Sequence, residues 1–171
     1  MKMENVMQEQ RIDHPIPPTW DSNSVILILG SFPSVKSREM AYFYGHPRNR
    51  FWQVLGILVG DPVPATVSER RAFLLRHKIA VWDVIASCTI TGSSDSSIQD
   101  VTPNDLTPIL TGSSIRQIFV NGKKAAQLYE RYLLPKTGKA AVTLPSTSPA
   151  NAAWSLPKLT EAWRVLLDFI G

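Results

Sequence analysis

Val25 to Trp52 reads VILILGSFPSVKSREMAYFYGHPRNRFW, and the fold turns on this stretch. Val25 to Leu29 is an unbroken apolar run of strand length with no polar alternation, the pattern of a strand covered on both faces, as in a parallel sheet between helices. Gly30-Ser31 ends it at the place where open α/β sheets hold ligands, beyond the carboxyl ends of their strands. The residues that follow are polar, aromatic and punctuated by Pro33 and Pro47, unlike an ordinary connection. Asn49 to Val59 then carries Phe51, Trp52, Leu55 and Leu58 at helical spacing, and Pro47 suits a helix start, where its missing N–H costs nothing.

Outward from that stretch the same alternation continues. Apolar strands are expected at Ile79–Ile85, Ile115–Val120 and Ala140–Leu144, and helices at Ser68–His77, Lys123–Leu133 and Leu159–Ile170. Thr102-Pro103-Asn104-Asp105 reads as a cap opening a short helix to Leu110, and Ser87–Ser97 as a Ser/Thr-rich loop. Residues 1–12 are polar and expected to fray, and His14 to Pro18 is a proline-stiffened extended segment; residues 1–20 together form an extended, partly disordered lead-in. With no internal repeat and no boundary in composition, one domain over 1–171 is expected. Strands alternating with helices predict an α/β fold with about four parallel strands and helices on both faces. Gly30–Ser34, Ser87–Ser97, Asn121-Gly122 and Pro145–Asn151 all follow strands, so the topology predicts one shared pocket.

The composition sets bounds. The chain has 171 residues, 44% hydrophobic and 19% charged, enough for a soluble domain with its own core. Lys and Arg exceed Asp and Glu by 18 to 14, a net +4; this is compatible with a nucleic-acid partner without requiring one. Lys36, Arg38, Arg48 and Arg50 against the single acid Glu39 concentrate positive charge beside the decisive stretch. The single cysteine, Cys88, excludes an intramolecular disulfide and a multi-cysteine metal site, and the three histidines lack metal-ligand spacing. No metal and no cofactor are expected. No apolar segment is long enough to span a membrane, which leads to the expectation of a cytoplasmic protein.

Three elements, GSFPS (30–34), HPRNRFW (46–52) and LPSTSPA (144–150), in this order, resemble the uracil-DNA glycosylase superfamily. The HPxNRFW element is shared with its mismatch-specific branch; the first and last elements resemble its hypoxanthine-DNA (deoxyinosine) branch. The resemblance implies a three-layer α/β/α sandwich with a central four-stranded parallel sheet. It also implies a monofunctional glycosylase, expected to be monomeric, that flips a deaminated base from double-stranded DNA and hydrolyses its N-glycosidic bond. Hypoxanthine is the expected base. The alternatives are uracil or mismatched uracil, or a non-catalytic DNA-binding domain of the same fold.

By the same resemblance Asn49 is the catalytic residue, orienting water or bonding the departing base; the plain alternative is an amide stabilising the helix start. Ser31, Phe32, Tyr44 and Asn121 are assigned to base binding. Tyr44 stands where the family stacks an aromatic on the flipped base, but it also suits a core aromatic; Asn121 also suits an Asn-Gly turn. Ser34, Lys36, Arg48, Ser146, Thr147, Ser148 and Pro149 are assigned to DNA, the hydroxyls as neutral phosphate grips or as ordinary turn formers. Thr147–Asn151 falls where the family inserts a wedge. The better-known glycosylases carry an acid or amide where this chain has Phe32, and a histidine where it has Leu144. No carboxylate lies between Gly30 and Arg38, so a neutral amide mechanism is expected, suited to a readily departing base.

Overall fold

A computed structural model describes residues 8–170. Its strands are β1 (Glu9–Asp13), β2 (Ile26–Gly30), β3 (Ile79–Asp83), β4 (Ile85–Thr91), β5 (Gln99–Pro103), β6 (Gln117–Asn121) and β7 (Ala141–Leu144). Its helices are α1 (Val35–Met40), α2 (Phe51–Val59), α3 (Val67–Arg76), α4 (Thr107–Gly112), α5 (Lys123–Leu128), α6 (Leu134–Thr137), α7 (Leu156–Trp163) and α8 (Leu167–Ile170). Four strands form an all-parallel sheet in the order β3-β2-β6-β7. β2 is central, and all five of its residues are buried.

Successive β2 side chains enter opposite layers, as the strand period of two requires. Ile26 and Ile28 pack with Phe51, Trp52 and Leu55 of α2, Phe73 of α3 and Trp163 of α7. Leu27 and Leu29 pack with Ile109 of α4, Ala125 and Leu128 of α5, and Cys88 and Ile90 of β4. The expected three-layer α/β/α arrangement around four parallel strands is therefore present, and each fully buried Leu or Ile contributes about 1.5–3 kcal/mol to it.

A second sheet was not expected. β1, β4 and β5 form a three-stranded antiparallel unit, with Ile12 opposite Cys88 and Glu9 opposite Thr91. Residues 9–12, expected to fray, are with Asp13 paired strand; residues 1–7 of the expected lead-in lie outside the described residues. Much of the expected Ser87–Ser97 loop is strand as well. Cys88 and Ile90 are buried two apart while their neighbours are half-exposed, a one-sided pattern that the Ser and Thr content hides. Thr102-Pro103 ends β5 and does not cap a helix; Asp105 Oδ1, accepting from Thr107 N–H at 3.0 Å, opens α4 instead.

Other boundaries shift for local reasons. α3 opens in a capping box, Thr66 accepting from Glu69 N–H while the Glu69 carboxylate accepts from Thr66 N–H. The helix expected over Lys123–Leu133 becomes a π turn at Tyr129–Leu133 before α6, just where Pro135 removes a backbone donor. The last helix starts earlier than expected, capped by Ser155.

Candidate active site

The carboxyl ends of β2, β3, β6 and β7 bring Gly30, Asp83, Asn121 and Leu144 to one edge of the sheet. A cavity of about 310 Å³ opens there, lined by Gly30–Ser34, Tyr44, Asn49, Asp83, Asp95, Asn121 and Ser146–Ala150 among others. Its size lies at the lower end of the roughly 300–1,000 Å³ typical of small-ligand sites. Four sequence segments expected to share a pocket do share one.

Asp83 closes the cavity floor. It is 4% exposed, and its Oδ2 accepts from His14 Nε2 at 2.8 Å. His14 Nδ1 accepts from the Ile16 N–H at 3.1 Å, so Nδ1 carries no proton and Nε2 is the donor. Asp83 accepts through Oδ2, and its Oδ1 makes no hydrogen bond among the described residues. Gly30 makes room for that oxygen: a Cβ there would stand 2.5 Å from Asp83 Oδ1 and 3.1 Å from the Tyr44 hydroxyl oxygen.

Tyr44 holds a left-handed backbone, φ 52°, a conformation that costs on the order of 1–3 kcal/mol and clusters at functional sites. Its ring stacks on Phe51 at 3.9 Å and 17°, so one face is covered by core while the residue lines the cavity. Burial, and then the Asp83 charge, push the phenol far above its usual range, so it keeps its proton. Asn121 lies near enough to offset part of that rise. No group meets hydrogen-bond geometry with the phenol oxygen, which is buried and unpartnered among the described residues.

Asn49 reaches the cavity through a tight turn. Its N–H donates to His46 O at 2.9 Å, and its Oδ1 accepts from Phe51 N–H at 3.0 Å. The turn-stabilising role weighed from sequence is real, and it leaves the Nδ2 donors uncommitted among the described residues. Asp95 stands at the rim, where Ser31 Oγ donates to its Oδ1 at 3.1 Å. Burial of the carboxyl on its inner side raises it above the ordinary carboxylate range, tempered by Ser31, although the residue keeps an open outer face.

Several assigned groups are otherwise engaged. Thr147, assigned to DNA, is 1% exposed; its hydroxyl accepts from Asn121 Nδ2 at 3.0 Å and its N–H donates to Asn121 Oδ1 at 3.1 Å. A hydroxyl so buried has to be satisfied internally, so Thr147 and Asn121 brace the last loop to β6. Ser34 caps α1 by accepting from Ser37 N–H, and the hydroxyls of Ser146 and Ser148 accept from Ser148 and Ala150 N–H. Phe32 is 9% exposed, set edge-on to His14 and beneath the Arg38 guanidinium. Lys36 and Arg48 are exposed and do not line the cavity. Arg38 donates to Gly92 O and Arg50 to three loop carbonyls, so neither is a free phosphate grip.

Asp83, His14 and Asp95 were missed from sequence. The Gly30–Arg38 segment supplies no carboxylate, and the cavity takes its carboxylates from β3 and from the turn after β4. A polar residue closing the apolar run IAVWD is the signal that points to Asp83; nothing local marks His14. No three His, Cys, Asp or Glu side chains gather for a metal among the described residues, and no helix there is long and apolar enough to cross a membrane.

Comparisons with known proteins identify the family. The model of the uracil DNA glycosylase superfamily matches residues 17–167. A hypoxanthine DNA glycosylase of Methanosarcina acetivorans is 36% identical over 152 residues, covering 88% of this chain and 95% of that protein. One from Methanosarcina barkeri is 34% identical, covering 86% and 92%. The solution structure of a candidate uracil DNA glycosylase from Methanosarcina acetivorans superposes with a TM-score of 0.76 at 32% identity, over 92% of this chain and 99% of that one. By the family-model match, the fold and near full-length similarity, the chain belongs to the uracil DNA glycosylase superfamily.

Proposed function

We propose that this protein is a monofunctional DNA glycosylase that releases hypoxanthine from deoxyinosine in duplex DNA, acting as a monomer in the cytoplasm. The observation that carries this reading is the cavity at the sheet's carboxyl edge, whose lining includes both the uncommitted Asn49 amide and the buried Asp83 carboxylate held by His14. The names of the Methanosarcina relatives support the choice of base.

The nucleotide is extruded so that its base enters the cavity, as chemistry on a stacked base requires. Tyr44, backed by Phe51, supplies a flat wall for one face of the base. Water adds to C1′ as the C1′–N9 bond breaks and its electron pair leaves with the purine. Asp83 Oδ1 takes the water proton, and its charge stabilises the cationic sugar that develops. Asn49 orients the water or donates Nδ2–H to the departing base. Among the described residues no lysine lines the cavity, so none of their amines is placed to form a Schiff base and cut the strand.

The test is base release from duplex oligonucleotides carrying one hypoxanthine or one uracil, with the Asn49→Ala protein alongside. Abasic sites from hypoxanthine, lost in Asn49→Ala while DNA binding persists, are the expected result. Release of uracil alone would assign the other base, and release of neither would leave a DNA-binding domain.

A further inference from the structure

Arg50 follows the proposed catalytic amide, yet its side chain turns away from the cavity chemistry. Its Nη2 donates to Ser148 O at 2.9 Å and to Asn151 O at 3.1 Å, and Nη1 donates to Trp154 O. Its own N–H donates to Thr147 O at 3.1 Å. None of the ion pairs among the described residues includes it, so the guanidinium is balanced by carbonyls alone. Only a planar fork reaches three carbonyls in divergent directions; an ammonium on a flexible stem does not.

The strapped loop is already curled by its own bonds. Ser146 and Ser148 hydroxyls accept from the N–H groups two residues on, and Asn151 Nδ2 donates to Ser146 O at 2.9 Å. Pro149 and Ala150 form its outer edge, with Ala150 exposed. These are small residues for the space left when a nucleotide leaves the base stack. A small edge can hold that space only if it is rigid before DNA arrives, since ordering a loop on binding subtracts from the binding free energy.

We propose that Arg50 is a positioning residue that sets the 148–154 loop as a rigid edge against the opened duplex. This rests on the reading of the protein as a base-flipping glycosylase. Arg50 does not touch the base; it acts through Pro149 and Ala150.

The test compares wild type with Arg50→Lys, which keeps the charge but loses the fork. Single-turnover release is measured from a duplex with paired hypoxanthine and from one holding hypoxanthine in an unpaired bulge, already extrahelical. The expected result is a loss of roughly tenfold or more on the paired lesion, with the bulged lesion within about twofold of wild type. A 2-aminopurine beside the lesion reports unstacking without any bond cleavage, and its fluorescence rise on binding is expected to shrink in Arg50→Lys. Equal loss on both lesions would mean a general packing defect and would overturn the proposal, as would undiminished release from the paired one. If wild type releases no base, the glycosylase reading fails, and the fluorescence decides separately: an undiminished rise in Arg50→Lys overturns the positioning role.

Discussion

His14 Nε2 sits 2.8 Å from Asp83 Oδ2, and the two side chains are only 4% and 5% exposed. The histidine comes from the segment after β1 and the aspartate from the end of β3, so the linkage ties the antiparallel unit to the parallel sheet at the cavity floor. With Nδ1 occupied by the Ile16 N–H, His14 donates one hydrogen bond and holds Asp83 in a single orientation. Asp83→Asn keeps an acceptor for His14 but cannot take a proton. It is expected to retain its melting temperature while single-turnover release falls on the order of 10²–10⁴-fold. An unchanged rate would remove Asp83 from the chemistry. His14→Ala leaves the buried Oδ2 unpaired and is expected to lower stability by about 1–3 kcal/mol, measured by denaturant titration.

Gly30 tests the cavity itself. The Cβ of Gly30→Ala would lie 2.5 Å from Asp83 Oδ1, and Asp83 cannot retreat without leaving His14. A loss of about 1–3 kcal/mol in stability is expected from this overpacking, together with strongly reduced base release. A fully active, equally stable Gly30→Ala protein would contradict the geometry described for Asp83.

Asn49 has two roles that one substitution separates. Asn49→Asp keeps the oxygen that accepts from Phe51 N–H, and a negative charge near a helix start is favourable by about 0.3–1 kcal/mol. The variant is therefore expected to melt no lower than wild type. It loses the Nδ2 donors, and release is expected to fall by about 10²–10³-fold. If Asn49→Asp lost stability but not activity, Asn49 would serve the turn alone.

Away from the site, Asp61 accepts from His77 Nε2 at 2.7 Å and from Arg76 Nη2 at 2.8 Å. The His77 and Arg76 hydrogen bonds hold its carboxyl below the usual range. A carboxylate lowered in the folded state stabilises above its unfolded pKa, about 3.9, and that stabilisation is lost as pH falls through the folded value. Asp61→Asn is expected to melt below wild type at pH 7, with the gap closing in acid below about pH 4. Paired thermal melts across pH check this; a gap that persists undiminished in strong acid would assign it to something other than the charge.

Much of the framework was legible because burial on both faces leaves a continuous apolar run. VILIL, IAVW and IFV announce strands whatever surrounds them, and the alternation with helices places their ends together. β1 and β4 escaped notice for the opposite reason. EQRID carries one half-buried apolar side chain, Ile12, and becomes a strand only because Cys88 and its neighbours lie beside it; such pairing is a property of tertiary context. The polar segments of the site were found by their position after strands, but the work of each hydroxyl was not. A serine that can grip phosphate can equally close a turn, and Thr147 looks the same in sequence whether it faces solvent or Asn121. His14 and Asp83, 69 residues apart, give no shared local signal.

The cavity draws its walls from distant parts of the chain. Arg50 meets Trp154 across 104 residues, and Asn121 waits for Thr147. During translation, β2, β3 and β6 emerge before the loop that completes the pocket exists. A ribosome-held chain ending before Pro145 is therefore expected to carry much of the sheet yet release no base. Hydrolytic competence therefore waits for a loop made after all four strands of the parallel sheet, and the order of synthesis itself delays the enzyme's switching on.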